Sequence, residues 1–291
     1  MEATGETNIK ETLEKSTEKT IEKTPEKSKI RGNNIVKNIT GLLYDGISII
    51  LFLILWEIAP RAGWVPQTFI SPPSVVLITL WDLITSGVLI KHIEVSMLRA
   101  LLGFFLAIVV GIPLGFFLGG WFHLFERIVT PVLRLLAEVN PFSLFPVFIL
   151  LFGIGEISKI TMIFWVCLWP ILLNTITGVK NVDELLIKSA RSMGISGKEM
   201  FYKVVLPAAS PGIFHGVKTS CATAFFMLIA AEMIGASSGL GWLVFNAQNN
   251  YQIPKLFATT VTISAIGLSL NYLFTKLEHK LVGWKESTSE Y

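Results

Sequence analysis

The sequence predicts an all-α, polytopic membrane protein of about six transmembrane helices, and three observations carry that reading. The 291 residues are 52% hydrophobic, with a mean hydropathy of +0.62. Only 15% are Asp, Glu, Lys or Arg, against about 25% in soluble domains. The charges are also segregated: residues 1–38 hold 15 of the 45, and the other 253 residues hold 30. This composition excludes a soluble enzyme, a nucleic-acid binder and a disulfide scaffold. Cys167 and Cys221 sit in apolar runs without metal-ligand spacing and read as small buried hydrophobes.

Residues 10–29 repeat a Glu-Lys pair every four residues with almost no apolar face. Such a segment cannot bury enough surface to offset its ordering entropy, so residues 1–38 are expected to form a disordered charged tail. No apolar stretch follows the first basic residues, as a signal peptide would require. The membrane domain is expected over residues 39–285, with a short tail at 286–291.

A bilayer-crossing helix needs about 20 predominantly apolar residues. Six stretches qualify: 43–60 (with Asp45 and Glu57 near its ends), 100–122, 139–155, 160–179, 213–235 and 256–275. Between the first two, Pro72 and Pro73 precede an apolar run. Proline suits a helix's first turn, so a short interfacial helix is expected at 73–85. With six spans both termini share one side. That side collects 18 Lys and Arg, the opposite side 4, and Arg99 and Lys218 lie at span edges. The bias places both termini in the cytoplasm.

The loop 181–212 lies on the same side and has the grammar of two short helices. Asn181 and Glu184 match a capping pattern for the first, and Gly194 suits its left-handed stop. Ser196 and Glu199 form a second S-x-x-E box, with Pro207 and Pro211 expected to end that helix. Leu185, Leu186, Ala190 and Met193 share one face by spacing, as do Met200, Phe201, Val204 and Val205. A helix pair this regular suggests a docking surface.

This loop resembles the "EAA" motif of ABC-importer permeases: E-A-A, three residues, Gly, nine residues, I-x-L-P. Here Lys188-Ser189-Ala190 is followed by three residues, Gly194, nine more, and Val204-Val205-Leu206-Pro207. Lys188 stands in place of the acidic residue, and Glu184 lies one turn earlier. FISPPSVV (69–76), LLFGIGEISKI (150–160), RSMGIS (191–196), VVLPAASPGI (204–213) and AAEMIGASSGLGWLV (230–244) are similar to the nitrate/sulfonate/taurine/bicarbonate branch. The resemblance covers about residues 45–285. It implies the type I importer permease fold in a prokaryotic inner membrane. It also implies a homodimer, two ATP-hydrolysing subunits and an extracytoplasmic binding protein. Glu184, Lys188, Ser189, Ala190, Gly194, Leu206 and Pro207 are then the expected ATPase-coupling residues. The cargo is expected to be a small anion, with a thiamine precursor or another small organic solute as the alternative. A secondary transporter would need internal repeats and midplane ionisable residues, neither of which is evident.

No G-x-x-x-x-G-K-[ST] phosphate loop occurs; Gly212 precedes Gly216-Val217-Lys218-Thr219 by four residues, not five. The chain is therefore expected to be no enzyme and to bind no cofactor, with ATP and Mg on the partner subunit. No catalytic or metal-binding residue is assigned.

Ionisable groups inside a membrane are costly and default to functional hypotheses. Glu232, near the end of the fifth span, either lines the path, pairs with another span, or caps the following Gly-Ala-Ser-Ser-Gly turn. An unpaired carboxylate would repel an anionic cargo, which favours a structural partner. Glu138 and Asn140 flank Pro141 at the third span, where a proline break fits either a gate or a plain bend. Ser237 and Ser238 lie in a glycine-rich run whose amides either meet an anion or form a tight turn. Asn174 and Asn271 are expected to hydrogen-bond between helices, and Trp56, Trp64, Trp121, Trp242 and Trp284 to lie in interfacial belts. Gly111, Gly115 and Gly119 are expected to let another helix approach closely.

Overall fold

The computed structural model describes residues 47–66, 68–120 and 123–282, without the side chains of 123–126, 279, 281 and 282. The charged segment 1–38, the end segment 286–291, the start of the first expected span, Trp121 and Trp284 lie outside the described residues. The chain divides into two units, residues 1–67 and 68–291. In the first, residues 47–61 are helical (α1), with a Glu57–Arg61 ion pair at 2.7 Å one turn apart.

Among the described residues, the regular elements of the second unit are all helices. Its elements are α2 (Pro73–Thr85), α3 (Val88–Gly120), α4 (His123–Ala137), α5 (Pro141–Phe152) and α6 (Glu156–Lys180). There follow α7 (Glu184–Ser192), α8 (Gly197–Gly235), α9 (Leu240–Asn249) and α10 (Ile253–Val282). Among the described residues, four helices are long and apolar enough to cross a membrane: α3, α6, α8 and α10. They contain the expected spans 100–122 (to Gly120), 160–179, 213–235 and 256–275. The short helix expected at 73–85 forms with those bounds, opened by Pro73.

The expected span at 139–155 is half of a bent pair, and the break falls at the proline singled out in the sequence. Residues Arg127–Ala137 and Pro141–Phe152 meet at 91°. Pro141 disfavours helical backbone at the preceding residue, and Asn140 is extended (φ −62°, ψ 115°). Its side-chain oxygen accepts from the Phe142 N–H at 2.9 Å, starting a new helix. Twelve residues of α5 span about 18 Å, short of the roughly 30 Å hydrocarbon core.

α6 is the axis of the bundle, packed between α3 and α8. The α3 glycines set one interface. A Cβ at Gly115 would lie 2.5 Å from that of Thr175, so a larger residue would push α6 away. On the other side Gly212 meets Gly178 backbone to backbone, with Gly212 leaving only 3.0 Å for a Cβ before the Gly178 Cα. Such contacts substitute for hydrophobic driving force, which is absent between helices in lipid. Ala107, Ile163, Cys167, Ile171, Ala224 and Leu228 fill the resulting core.

Two other expectations change, the end of the second loop helix and the partner of Asn174. Pro207 and Pro211 do not end a helix: α8 runs unbroken from the loop into the membrane. Residues Phe201–Val205 form a wide, π-type turn in which the Leu206 N–H reaches back to the Phe201 carbonyl. That looser register absorbs Pro207, which has no N–H for a normal turn. Asn174 bonds within its own helix, to the Pro170 carbonyl at 2.8 Å. Trp242 stacks on His92, ring centroids 5.2 Å apart, and Trp56 lies 6.1 Å from Phe52.

Candidate functional site

Two polar regions sit at opposite ends of α6, about 36 Å apart by helical rise. One is the 181–205 loop, which follows the C-terminal end of α6. Asp183, rather than the Asn181–Glu184 pair, caps α7: its carboxylate accepts from the Leu185 N–H at 2.8 Å. Asn181 instead ends α6, its N–H on the Thr177 carbonyl. Gly194 adopts φ +80°, and the next N–H, of Ile195, closes on the Ala190 carbonyl at 3.1 Å. The side chain of Ser196 makes no cap bond; Glu199 pairs with Lys203 at 3.4 Å.

Of the motif residues, Lys188 reaches Glu184 at 3.0 Å, one turn back, with both side chains exposed. Ser189 is exposed, its carbonyl accepting from the Met193 N–H. Ala190 turns inward, and Leu206 packs on Val179, Val182, Ala209 and Ile213. Pro207 is exposed. Phe201 anchors the second helix against Phe116 of α3, ring centroids 4.9 Å apart. Leu185, Leu186, Met193 and Tyr202 are left outward, 68%, 48%, 77% and 65% exposed. The expected apolar face of α7 is thus split, with Ala190 inside and the larger side chains outside.

The other region gathers charges from three membrane helices. Arg99 of α3 is 3% exposed and its guanidinium is fully engaged. Nε and Nη2 donate to the two oxygens of Glu156, the latter at 2.7 Å. Nη1 donates to Glu232 Oε1 and to the Ser238 carbonyl, both at 2.7 Å. Nη2 also reaches Ser238 Oγ at 3.3 Å. All five N–H donors therefore have acceptors.

Glu232 is wholly buried. Besides Arg99 it accepts from Ser96 Oγ at 2.8 Å and from the Gly241 N–H at 2.9 Å. The Ser96 hydroxyl in turn accepts from the Leu240 N–H at 2.8 Å, and His92 Nδ1 accepts from the Gly239 N–H at 3.0 Å. The glycine-rich turn is shaped around this carboxylate. A Cβ on Gly239 would run into the Glu232 carboxylate, and one on Gly241 into the Ile229 carbonyl. Both structural roles weighed for Glu232, a partner on another span and a cap for the turn, are realised together. Of the amides of 239–241, that of Gly241 meets an anion, the Glu232 carboxylate, while those of Gly239 and Leu240 bond His92 and Ser96.

Ser238 belongs to this cluster, whereas Ser237 is exposed on the turn. Glu138 is exposed beside the bend, and Asn140 serves there as a cap. Lys159 is 3% exposed with one contact among the described residues, Glu156 Oε1 at 3.5 Å. Arg99, Glu156 and Lys159 escaped the sequence reading. A signal was present: His92, Ser96 and Arg99 follow i, i+4, i+7 spacing, a polar stripe on one face of an apolar helix. Glu156 and Lys159 are likewise one turn apart.

Comparison with known proteins places the chain among transport components. Residues 111–283 match the family model "Binding-protein-dependent transport system inner membrane component". The chain is 34% identical over 247 residues to a putative aliphatic sulfonates transport permease protein, SsuC, of Bacillus subtilis, covering 85% of this chain and 88% of that one. It is 30% identical over 244 residues to the taurine transport system permease protein TauC of Escherichia coli, covering 82% and 88%. Its fold is similar to a chain of the inward-facing MetNI methionine ABC transporter, with a TM-score of 0.59 at 17% identity, covering 68% of this chain and 97% of that one.

Proposed function

This chain belongs to the family of binding-protein-dependent transport system inner membrane components, and we propose that it carries a small anion of the sulfonate, taurine, nitrate or bicarbonate class. It is the permease subunit of an ABC importer, a family that works with an ATPase and a binding protein. In the proposed arrangement an extracytoplasmic binding protein delivers the cargo to a homodimer of this chain. ATP and Mg reside on a separate subunit, and both termini face the cytoplasm. The observation that carries the cargo reading is the extended similarity to sulfonate and taurine permeases. The geometry agrees: Glu232 is neutralised by Arg99, so it presents no free negative charge against an anion.

The 181–205 loop is the proposed ATPase-docking element. Its support is the outward face of Leu185, Leu186, Met193 and Tyr202, an apolar patch at a loop that a soluble partner would cover. Phe201 and Leu206 tie that patch to α3 and α6, so a push on the loop is passed to the membrane helices.

The test is reconstitution. The chain with its ATPase and binding protein in liposomes should accumulate labelled taurine or nitrate only when ATP is present. Alone it should neither hydrolyse ATP nor transport. Transport by the isolated chain would refute the assignment. Met193→Asp, at an exposed position, should lower ATPase co-purification at least tenfold while membrane insertion survives; unchanged co-purification would remove the docking role.

A further inference from the structure

We propose that Glu156 is a tethered stand-in for the transported anion, occupying an oxyanion site built by Arg99 and Lys159. This rests on the anionic cargo reading above.

The two carboxylates on Arg99 are unlike each other. Glu232 is sealed: wholly buried, with Ser96, Arg99 and the Gly241 N–H all donating to it. Glu156 is bound by the same guanidinium, yet its side chain is 58% exposed. Its described partners are two cations, Arg99 and Lys159, and no backbone N–H holds it. It is the first residue of α6, preceded by Gly153-Ile154-Gly155 outside any helix. Its side chain already faces solvent, whereas that of Glu232 is sealed.

Lys159 makes the site larger than one ion pair. Its ammonium carries three donors, is 4% exposed, and has one long contact, 3.5 Å to Glu156 Oε1. A buried ammonium with so little compensation is costly. An anion with three oxygens would satisfy it and keep both hydrogen bonds on the Arg99 fork, as planar or trigonal oxyanions do.

The charge balance gives the same answer. Arg99 and Lys159 are opposed by Glu232 and Glu156, so the closed cluster is neutral. When Glu156 leaves, two buried cations face one buried carboxylate, and the site requires one anion. The structure thereby supplies selectivity: a cation or a neutral solute has no reason to displace Glu156. Glu156 also keeps the cations compensated when cargo is absent.

The permease with its ATPase partner in lipid nanodiscs tests this, with methanesulfonate as probe and binding followed by calorimetry and by the rise in unfolding temperature. A tethered carboxylate competes at an effective concentration in the millimolar range, so Glu156→Gln should tighten methanesulfonate binding about tenfold, as should Glu156→Ala. Adding Lys159→Gln should abolish the gain. Choline should bind none of them. Equal affinity in wild type and both Glu156 variants overturns the proposal, as does a gain that survives loss of Lys159. Chloride gaining as much as methanesulfonate would also overturn it, since a simple charge sink needs no oxygens. Uptake of an uncharged cargo in the liposome assay would fail the cargo reading, whereas these binding results fail or sustain the site.

Discussion

The two ends of α6 carry the same chemistry in opposite surroundings. At the loop end, Glu184 and Lys188 pair at 3.0 Å with both side chains largely in solvent. At the other end, Arg99 and Glu232 pair at 2.7 Å with both buried. An exposed pair is worth little because water and salt compete for each partner. A buried pair contributes little net stability when intact, because desolvation offsets the attraction. Losing one partner is severe, since a lone charge remains in a low dielectric. Contact distance is nearly the same; the consequence of breaking it is not.

The largest expected effect therefore falls on Arg99. Arg99→Met removes the guanidinium that pairs with Glu232 and should destabilise the chain by about 3–5 kcal/mol. The measurement is the folded, membrane-inserted yield together with the thermal unfolding of the detergent-purified chain. Arg99→Lys should recover only part of the loss, because an ammonium cannot serve both carboxylates as the planar fork does. If Arg99→Met unfolds like wild type, the contrast between the two ends collapses.

A smaller loss is expected at the turn that seals the cluster. Gly241→Ala drives a methyl into the Ile229 carbonyl, and overpacking of this kind costs about 1–3 kcal/mol. By the same measure Gly153→Ala, where nothing lies within 4 Å of a Cβ, carries only the backbone strain of its φ of 80° and ψ of 172°, about 1–3 kcal/mol. Unfolding temperatures of the two variants, side by side, separate a steric role from a conformational one. An unchanged unfolding temperature for Gly241→Ala would show that the turn yields and that its glycines do not shape the Glu232 pocket.

The same contrast explains how much was legible in the sequence. Long uncharged runs fixed four membrane-crossing helices, because hydrocarbon length sets a hard requirement. The stop at Gly194 and the close packing of Gly115 were readable because each depends on a single local property. The 91° bend was half readable: Pro141 marked a break, but whether it kinks or reverses the chain depends on the packing of α5 against α6. The charged cluster was the least readable. Glu232 stood out alone in its run, whereas its side-chain partners on α3, Arg99 and Ser96, lie 133 and 136 positions away. Sequence shows that a membrane carboxylate needs a partner; only the crossing of α3, α6 and α8 shows which.

The smallest effect is expected at the loop pair, and it sharpens the comparison most. Glu184→Gln keeps the shape of α7 and removes one side of an exposed i, i+4 ion pair, worth about 0.3–0.5 kcal/mol. Glu184 also sits in the first turn of α7, where a carboxylate gains a few tenths of a kcal/mol from the helix dipole. The cap itself is Asp183 and remains. The loss in stability should thus stay below about 1 kcal/mol and shrink further at high salt, since screening acts on exposed charges. If the position matters beyond stability, ATPase co-purification will change while the unfolding temperature does not. Glu184 then acts at the docking surface in place of the acidic residue that Lys188 displaces. If neither changes, no acidic residue of the loop replaces the one absent at Lys188, and the proposed docking rests on the loop's apolar face alone.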